Sequence, residues 1–140
     1  MAVGAGPYGG GMSAPPTAGE ALVRFSDAID AEDWEGLAAL LAEGFAARFP
    51  ATGETFDRDA FVVLNRDYPG SWRFAREAVV DGGASAALRA RVSPAQGPDD
   101  EVHHVASFAT VDGAGLISEL VEVWAEATAP PEGERRPVGS

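Results

Sequence analysis

The stretch from Glu101 to Trp124 constrains the fold more than any other part of the chain. Two runs rich in β-branched and aromatic residues, Glu101–Val111 and Leu116–Trp124, flank Asp112-Gly113-Ala114-Gly115. Turn-forming residues between two such runs predict a long β-hairpin. Upstream, Trp72–Asp81 and Ser85–Val92 show the same two-residue period and are joined by Gly82-Gly83. Pro94–Asp100 supplies a longer loop between the two middle strands. Links this short cannot carry the crossover that a parallel pair needs, so the four strands read as an antiparallel meander.

The first half of the chain has a helical period instead. Leu22, Phe25 and Ile29 form one stripe on a helix expected over Gly19–Ala31. Asp33 is placed to cap a second helix, Trp34–Ala42, with Trp34, Leu37, Leu40 and Leu41 on its apolar face and Gly44 as its stop. Phe45–Phe49 reads as a short strand and Pro50 to Gly53 as a turn. Asp57 caps a third helix, Arg58–Arg66, which buries Phe61 and Leu64 and is ended by Tyr68-Pro69-Gly70. Helices followed by a meander define an α+β pattern, with N-terminal helices packed in a strongly curved, mainly antiparallel sheet. Such a cone encloses a cavity, where a ligand would sit.

A chain of 140 residues has room for one core. Residues 1–16 and 128–140 are dominated by Gly, Ala and Pro and are expected to be a disordered leader and tail around a domain spanning 17–127. The net charge of −12 argues against nucleic acid and against anionic membrane surfaces, both of which require basic footprints. The ten basic residues are all Arg, so no lysine Schiff base can form. The lack of Cys removes thiol nucleophiles and disulfides and fits a cytoplasmic protein. No run has the length of a membrane span, and no basic segment precedes an apolar block in the manner of a signal peptide.

Four local patterns occur in a telling order. They are the helical opening Phe25 to Leu41 with Asp30 and Asp33-Trp34, then Phe49-Pro50-Ala51-Thr52-Gly53, then Asn65-Arg66-Asp67-Tyr68-Pro69-Gly70-Ser71-Trp72. The fourth runs from His104 to Phe108, through Asp112-Gly113, to Ile117-Ser118-Glu119 and Glu122-Val123-Trp124. Together they resemble the nuclear-transport-factor-2-like superfamily, nearest its SnoaL-like branch, over about Glu20 to Glu126. The resemblance implies a bent sheet closing over the helices, often dimeric through that sheet. Many relatives carry Tyr at the position of Val123 and a tighter turn than Asp112 to Gly115. The superfamily includes ketosteroid isomerases, scytalone dehydratase, limonene epoxide hydrolase and polyketide cyclases, but also transport factors without catalysis, so fold alone does not select a function.

His103 and His104 are the only histidines. As strand neighbours they point to opposite faces, which disfavours a paired-His metal site. His104, on the face of Ala106 and Phe108, is the one the resemblance favours. It reads either as a general acid/base or as a half-buried histidine bonded to a neighbouring strand. Glu119 and Glu122 also face opposite sides. With a four-residue loop, Val111 pairs with Leu116 and Glu119 shares the face of His104. A bulge shifting the pairing by one residue puts Glu122 there instead. The resemblance favours Glu122, as part of the terminal Glu-x-Trp. Either glutamate also reads as a solvated charge on the outer face.

Arg66, Tyr68 and Trp72 follow the third helix, where relatives close the mouth of the cone. Arg66 would hold a substrate carboxylate or pair with Asp67 or Glu54. Phe49, Phe61, Trp72, Phe108 and Trp124 complete the expected pocket. Asp27 and Asp30 are expected on the outer face of the first helix. Ser71, Ser85 and Ser107 lack a nucleophile-elbow context, and Gly9-Gly10-Gly11 is not placed as a phosphate loop, so no nucleotide cofactor or metal is implied. The expected function is binding of a small apolar organic molecule, with cofactor-free isomerisation, dehydration, hydrolysis or cyclisation if it is catalytic. The alternative is a non-catalytic ligand-binding or homodimeric assembly module.

Overall fold

In the computed structural model, residues 14–96 and 101–126 are described; most of the expected leader and tail lies outside them. Helix α1 (Ala18–Asp30) begins with a full capping box. Thr17 Oγ1 accepts the Glu20 N–H at 3.2 Å, and Glu20 Oε1 accepts the Thr17 N–H at 2.9 Å. Helix α2 (Trp34–Ala39) is capped by Asp33 and helix α3 (Arg58–Arg66) by Asp57, each through a carboxylate oxygen bound to a first-turn N–H.

Six strands follow the expected pattern with one addition. They are β1 (Leu41–Phe49), β2 (Glu54–Asp57), β3 (Trp72–Asp81), β4 (Ser85–Pro94), β5 (His103–Val111) and β6 (Ile117–Glu126). They form one curved, unclosed sheet in the order β2-β1-β6-β5-β4-β3. All neighbours are antiparallel except β1 and β6.

The second helix is shorter than expected. Leu40, Leu41 and Ala42 are good helix formers, yet the Leu40 carbonyl accepts the Ile117 N–H at 2.9 Å and Leu41 pairs with Ile117. Pairing with β6 overrides local helix propensity, and Gly44 sits inside β1 rather than stopping a helix. Strand β2 was not anticipated, because Glu54-Thr55-Phe56-Asp57 is short, polar and largely exposed.

The concave face carries the core. Phe45 and Ala47 of β1, Leu88, Ala90 and Val92 of β4, Val105 and Ala109 of β5, and Leu120 of β6 are all buried against Leu22, Phe25, Leu37 and Phe61 from the helices. Phe61 lies between Phe25 and Phe45, with ring centroids 6.1 and 5.4 Å away. Asp27 and Asp30 are exposed on the outer face of α1 as expected, and from there they also stitch the helix to the edge strand β3. Asp30 Oδ1 accepts the Phe74 N–H at 2.8 Å, and Asp27 pairs with Arg76 at 2.8 Å. Arg76 also donates to Ser26 Oγ at 2.7 Å. At the other end of α1, Asp81 accepts from Thr17 Oγ1 at 2.7 Å and Gly19 N at 3.1 Å. These bonds hold its carboxyl below the ordinary aspartate range.

Phe61 is fully buried, so its removal leaves a cavity that the two flanking rings cannot fill. Phe61→Ala is expected to cost about 3–5 kcal/mol, read as a lower urea midpoint.

Candidate functional site around Glu122

The β5–β6 ladder decides which side chains face the concave side. Val111 pairs with Ile117, leaving Asp112 to Leu116 as the loop. Asp112 Oδ1 organises it by accepting the Ala114 and Leu116 N–H groups at 2.9 and 3.0 Å. Gly115 adopts φ of 81°, and a Cβ there would sit 2.5 Å from Pro16 Cδ, so both conformation and contact demand glycine. A bulge then inserts Ser118, and Thr110 pairs with Glu119. The offset is therefore two residues from the register of a four-residue loop, which restores the original parity. Glu119 shares the face of His104, and Glu122 lies opposite Ser107 on the other face.

That face is the buried one. Val105, Ser107 and Ala109 are at most 2% exposed, and Glu122 is 3% exposed. Ser107 Oγ donates to Glu122 Oε2 at 2.9 Å, and the Trp124 indole N–H reaches Oε1 at 3.4 Å. Desolvation raises the Glu122 pKa to about 7, partly offset by these two donors. A carboxyl group that exchanges its proton near neutrality inside an apolar shell can act as general acid or general base.

The other expected residues separate into two groups. Phe49 and Phe61 lie on the concave side, Phe49 packing on Phe56 with centroids 5.2 Å apart. Trp72 also belongs to this side. Its indole donates to the Pro69 carbonyl at 2.9 Å, while Tyr68 and His103 meet its ring at centroid distances of 6.2 and 5.7 Å. His104 and Phe108 belong to the other group. They lie on the convex face with Ala106, and Phe108 is 48% exposed. The expectation that His104 shares a cavity with Glu122 is corrected by this parity, since a strand turns alternate side chains to opposite sides.

Arg66 is engaged at the surface by Asp67, through Nε at 2.8 Å and a second nitrogen at 3.3 Å. Glu119 is paired with Arg48, both side chains about half exposed. Sequence reasoning missed Ser107 and His103. A Ser at a core-parity position in an apolar strand was the available signal, usable only once the buried parity was known. Among the described residues, no group of His, Asp and Glu is arranged to hold a metal ion.

Burial of Glu122 has a signed consequence for stability. Its folded pKa of about 7 lies above the ordinary 4.5, so the folded protein binds the extra proton between these values. Stability from this group is therefore present below about pH 4.5 and is lost as pH rises towards 7, by roughly 3 kcal/mol. Glu122→Gln is expected to be the more stable protein at pH 8 and close to wild type at pH 4. Urea midpoints across that range measure the difference; parallel curves would exclude a raised Glu122 pKa.

The model of the SnoaL-like domain family matches residues 22–120. Among solved structures, a ketosteroid isomerase-like protein from Kribbella flavida is 30% identical, with a TM-score of 0.73 over 87% of this chain and 91% of that one. An NTF-2 like protein of unknown function from Burkholderia xenovorans is 16% identical, with a TM-score of 0.69 over 81% of this chain and 86% of that one. An LEH-like epoxide hydrolase from M. tuberculosis is 19% identical, with a TM-score of 0.66 over 79% of this chain and 86% of that one. The last two similarities speak to the fold alone. No curated protein matches the chain significantly. No helix among the described residues is long and apolar enough to cross a membrane. With the family model spanning most of the chain and the same curved sheet over N-terminal helices, the protein belongs to the SnoaL-like domain family of the NTF2-like superfamily.

Proposed function

We propose that this protein binds a small, largely apolar organic molecule in the cone and acts on it by cofactor-free acid/base chemistry, with Glu122 carrying the proton. The observation that supports this reading best is the Glu122 carboxyl itself. It is buried, bonded to Ser107 and Trp124, and shifted to about 7. Burying a carboxyl costs stability, and such perturbed groups concentrate at functional sites. The 30% identical ketosteroid isomerase-like protein and the epoxide hydrolase of the same fold are consistent with chemistry of this class. In an isomerisation, the Glu122 carboxylate would take a proton from carbon and return it at another position. In an epoxide opening, it would activate water. His104 has no part in either, because it faces away.

A panel of apolar enones and epoxides incubated in D2O tests the proposal, with deuterium or water incorporation read by mass spectrometry. Wild-type turnover should fall by about 100-fold or more in Glu122→Gln. Equal rates in the two proteins would remove Glu122 from the chemistry. No turnover and no retained ligand in native mass spectra would favour the non-catalytic module.

The convex face supports homodimerisation as a further part of the proposal. Val80, Phe108 and Val123 are 72%, 48% and 44% exposed there. Solvent-exposed large apolar side chains grouped on one sheet face are characteristic of an interface. Phe108→Asp would convert a dimer into monomers by placing an unpaired charge in the contact. Sedimentation velocity on wild type and variant reads this directly, and a monomeric wild type would end the dimer proposal.

A further inference from the structure

The two oxygens of Glu122 are held unequally. Oε2 takes a 2.9 Å bond from Ser107, a residue with no solvent exposure. Oε1 takes only a 3.4 Å contact from the Trp124 indole N–H. A bond stretched to that length is weaker and costs less to break. The two partners also differ in freedom. Ser107 is fixed within the β4–β5–β6 ladder, facing Leu88 on one side and Glu122 on the other. Trp124 is 37% exposed and lies two residues nearer the strand end, on the same side of β6 as Glu122. Its indole thus touches the buried carboxyl while the rest of the side chain is partly open to solvent.

We infer that Trp124 is a positioning residue that guards the reactive oxygen of Glu122: a ligand reaches Oε1 by displacing the indole N–H, while Ser107 keeps Oε2 anchored. The inference rests on the acid/base reading of Glu122 and adds which oxygen reacts and what the site admits. Because Ser107 donates to Oε2, the carboxyl proton resides on Oε1, the oxygen that a ligand meets. In the carboxylate form that acts as base, Oε1 only accepts, so a ligand that replaces the indole offers it a hydroxyl, an N–H or an acidic C–H. A second anion is disfavoured beside the carboxylate. The ligand class is thus a neutral, apolar molecule with a single hydrogen-bond donor or C–H acid at its leading end.

A hydrophobic carbodiimide, dicyclohexylcarbodiimide, probes this on the full chain without knowledge of the natural ligand. The protonated Glu122 carboxyl adds across one C=N bond: oxygen bonds to the central carbon and the carboxyl proton moves to nitrogen. Acyl transfer to nitrogen then gives a stable N-acylurea, with no leaving group and no redox partner. Labelling at pH about 5.5, where a carboxyl of pKa near 7 is mostly protonated, is followed at Glu122 by peptide mass spectrometry. Thermal melts on every variant establish that each is folded, and carboxyl 13C NMR, assigned with Glu122→Gln, follows the titration of Glu122.

The expected order of labelling rates is wild type, then Trp124→Phe, then Trp124→Ala. Loss of the indole bond alone is worth about fivefold, at unchanged melting temperature. Ser107→Ala frees Oε2 but leaves the guard on Oε1 intact, so it should change the labelling rate less than Trp124→Phe does. Equal rates in wild type and both Trp124 variants, with Glu122 still titrating near 7, would overturn the guarding role and leave the acid/base reading standing. Acceleration in Ser107→Ala but not in Trp124→Phe would make Oε2 the reacting oxygen and also overturn it. Titration of Glu122 in the ordinary carboxylate range would remove the acid/base reading and this inference with it.

Discussion

With Thr110 opposite Glu119 and Ser107 opposite Glu122, the β5–β6 ladder places one glutamate on each side of the sheet. The rest of the site depends on that pairing. The Asp112 side chain holds a loop of five residues, and the bulge at Ser118 adds one more. A slip by a single residue would expose Glu122 and bury Glu119 with its Arg48 partner, exchanging the two faces. The packing of Ile117 and Leu120, both fully buried, holds the register against such a slip.

The two glutamates then meet different physics. Glu119 and Arg48 remain about half exposed, so water screens their attraction and the pair contributes at most about 1 kcal/mol. Glu122 has lost its water and gained only Ser107 and the weaker Trp124 contact. Two neutral donors do not replace full hydration of a carboxylate, and the shortfall appears as a pKa near 7. The same desolvation that weakens the fold at higher pH creates a proton donor and acceptor at neutrality.

The remaining fold supports this cost from a distance. Helix α1 is tied to the edge strand β3 at both ends, through Asp81 near Thr17 and through Asp27 and Asp30 near Arg76 and Phe74. Asp30 also satisfies a backbone N–H at a sheet edge that would otherwise be open to another strand. Between these ties, Phe25, Phe45 and Phe61 fill the cone on the helix side. At the strand ends, Tyr68, Trp72 and His103 form an aromatic rim.

Much of this was legible in the residues. Helix α3 and strand β3 have the boundaries that capping and turn chemistry predict, because Asp57, Tyr68-Pro69-Gly70 and Gly82-Gly83 are local signals. The α+β order and the Glu122-x-Trp124 ending likewise follow from the sequence. What needed tertiary structure was everything set by contacts distant in the chain. Leu41 joins a strand because Ile117 lies beside it, and β2 exists because β1 offers an edge. Alternation along β5 showed that His103 and His104 part company, but not which one turns inward. That depends on which face the helices cover, and only their packing over Val105 and Ser107 decides it. The order of residues dictates where ionisable and aromatic groups lie and how they alternate; the folded sheet decides which of them lose water, because desolvation belongs to the surroundings and not to the residue.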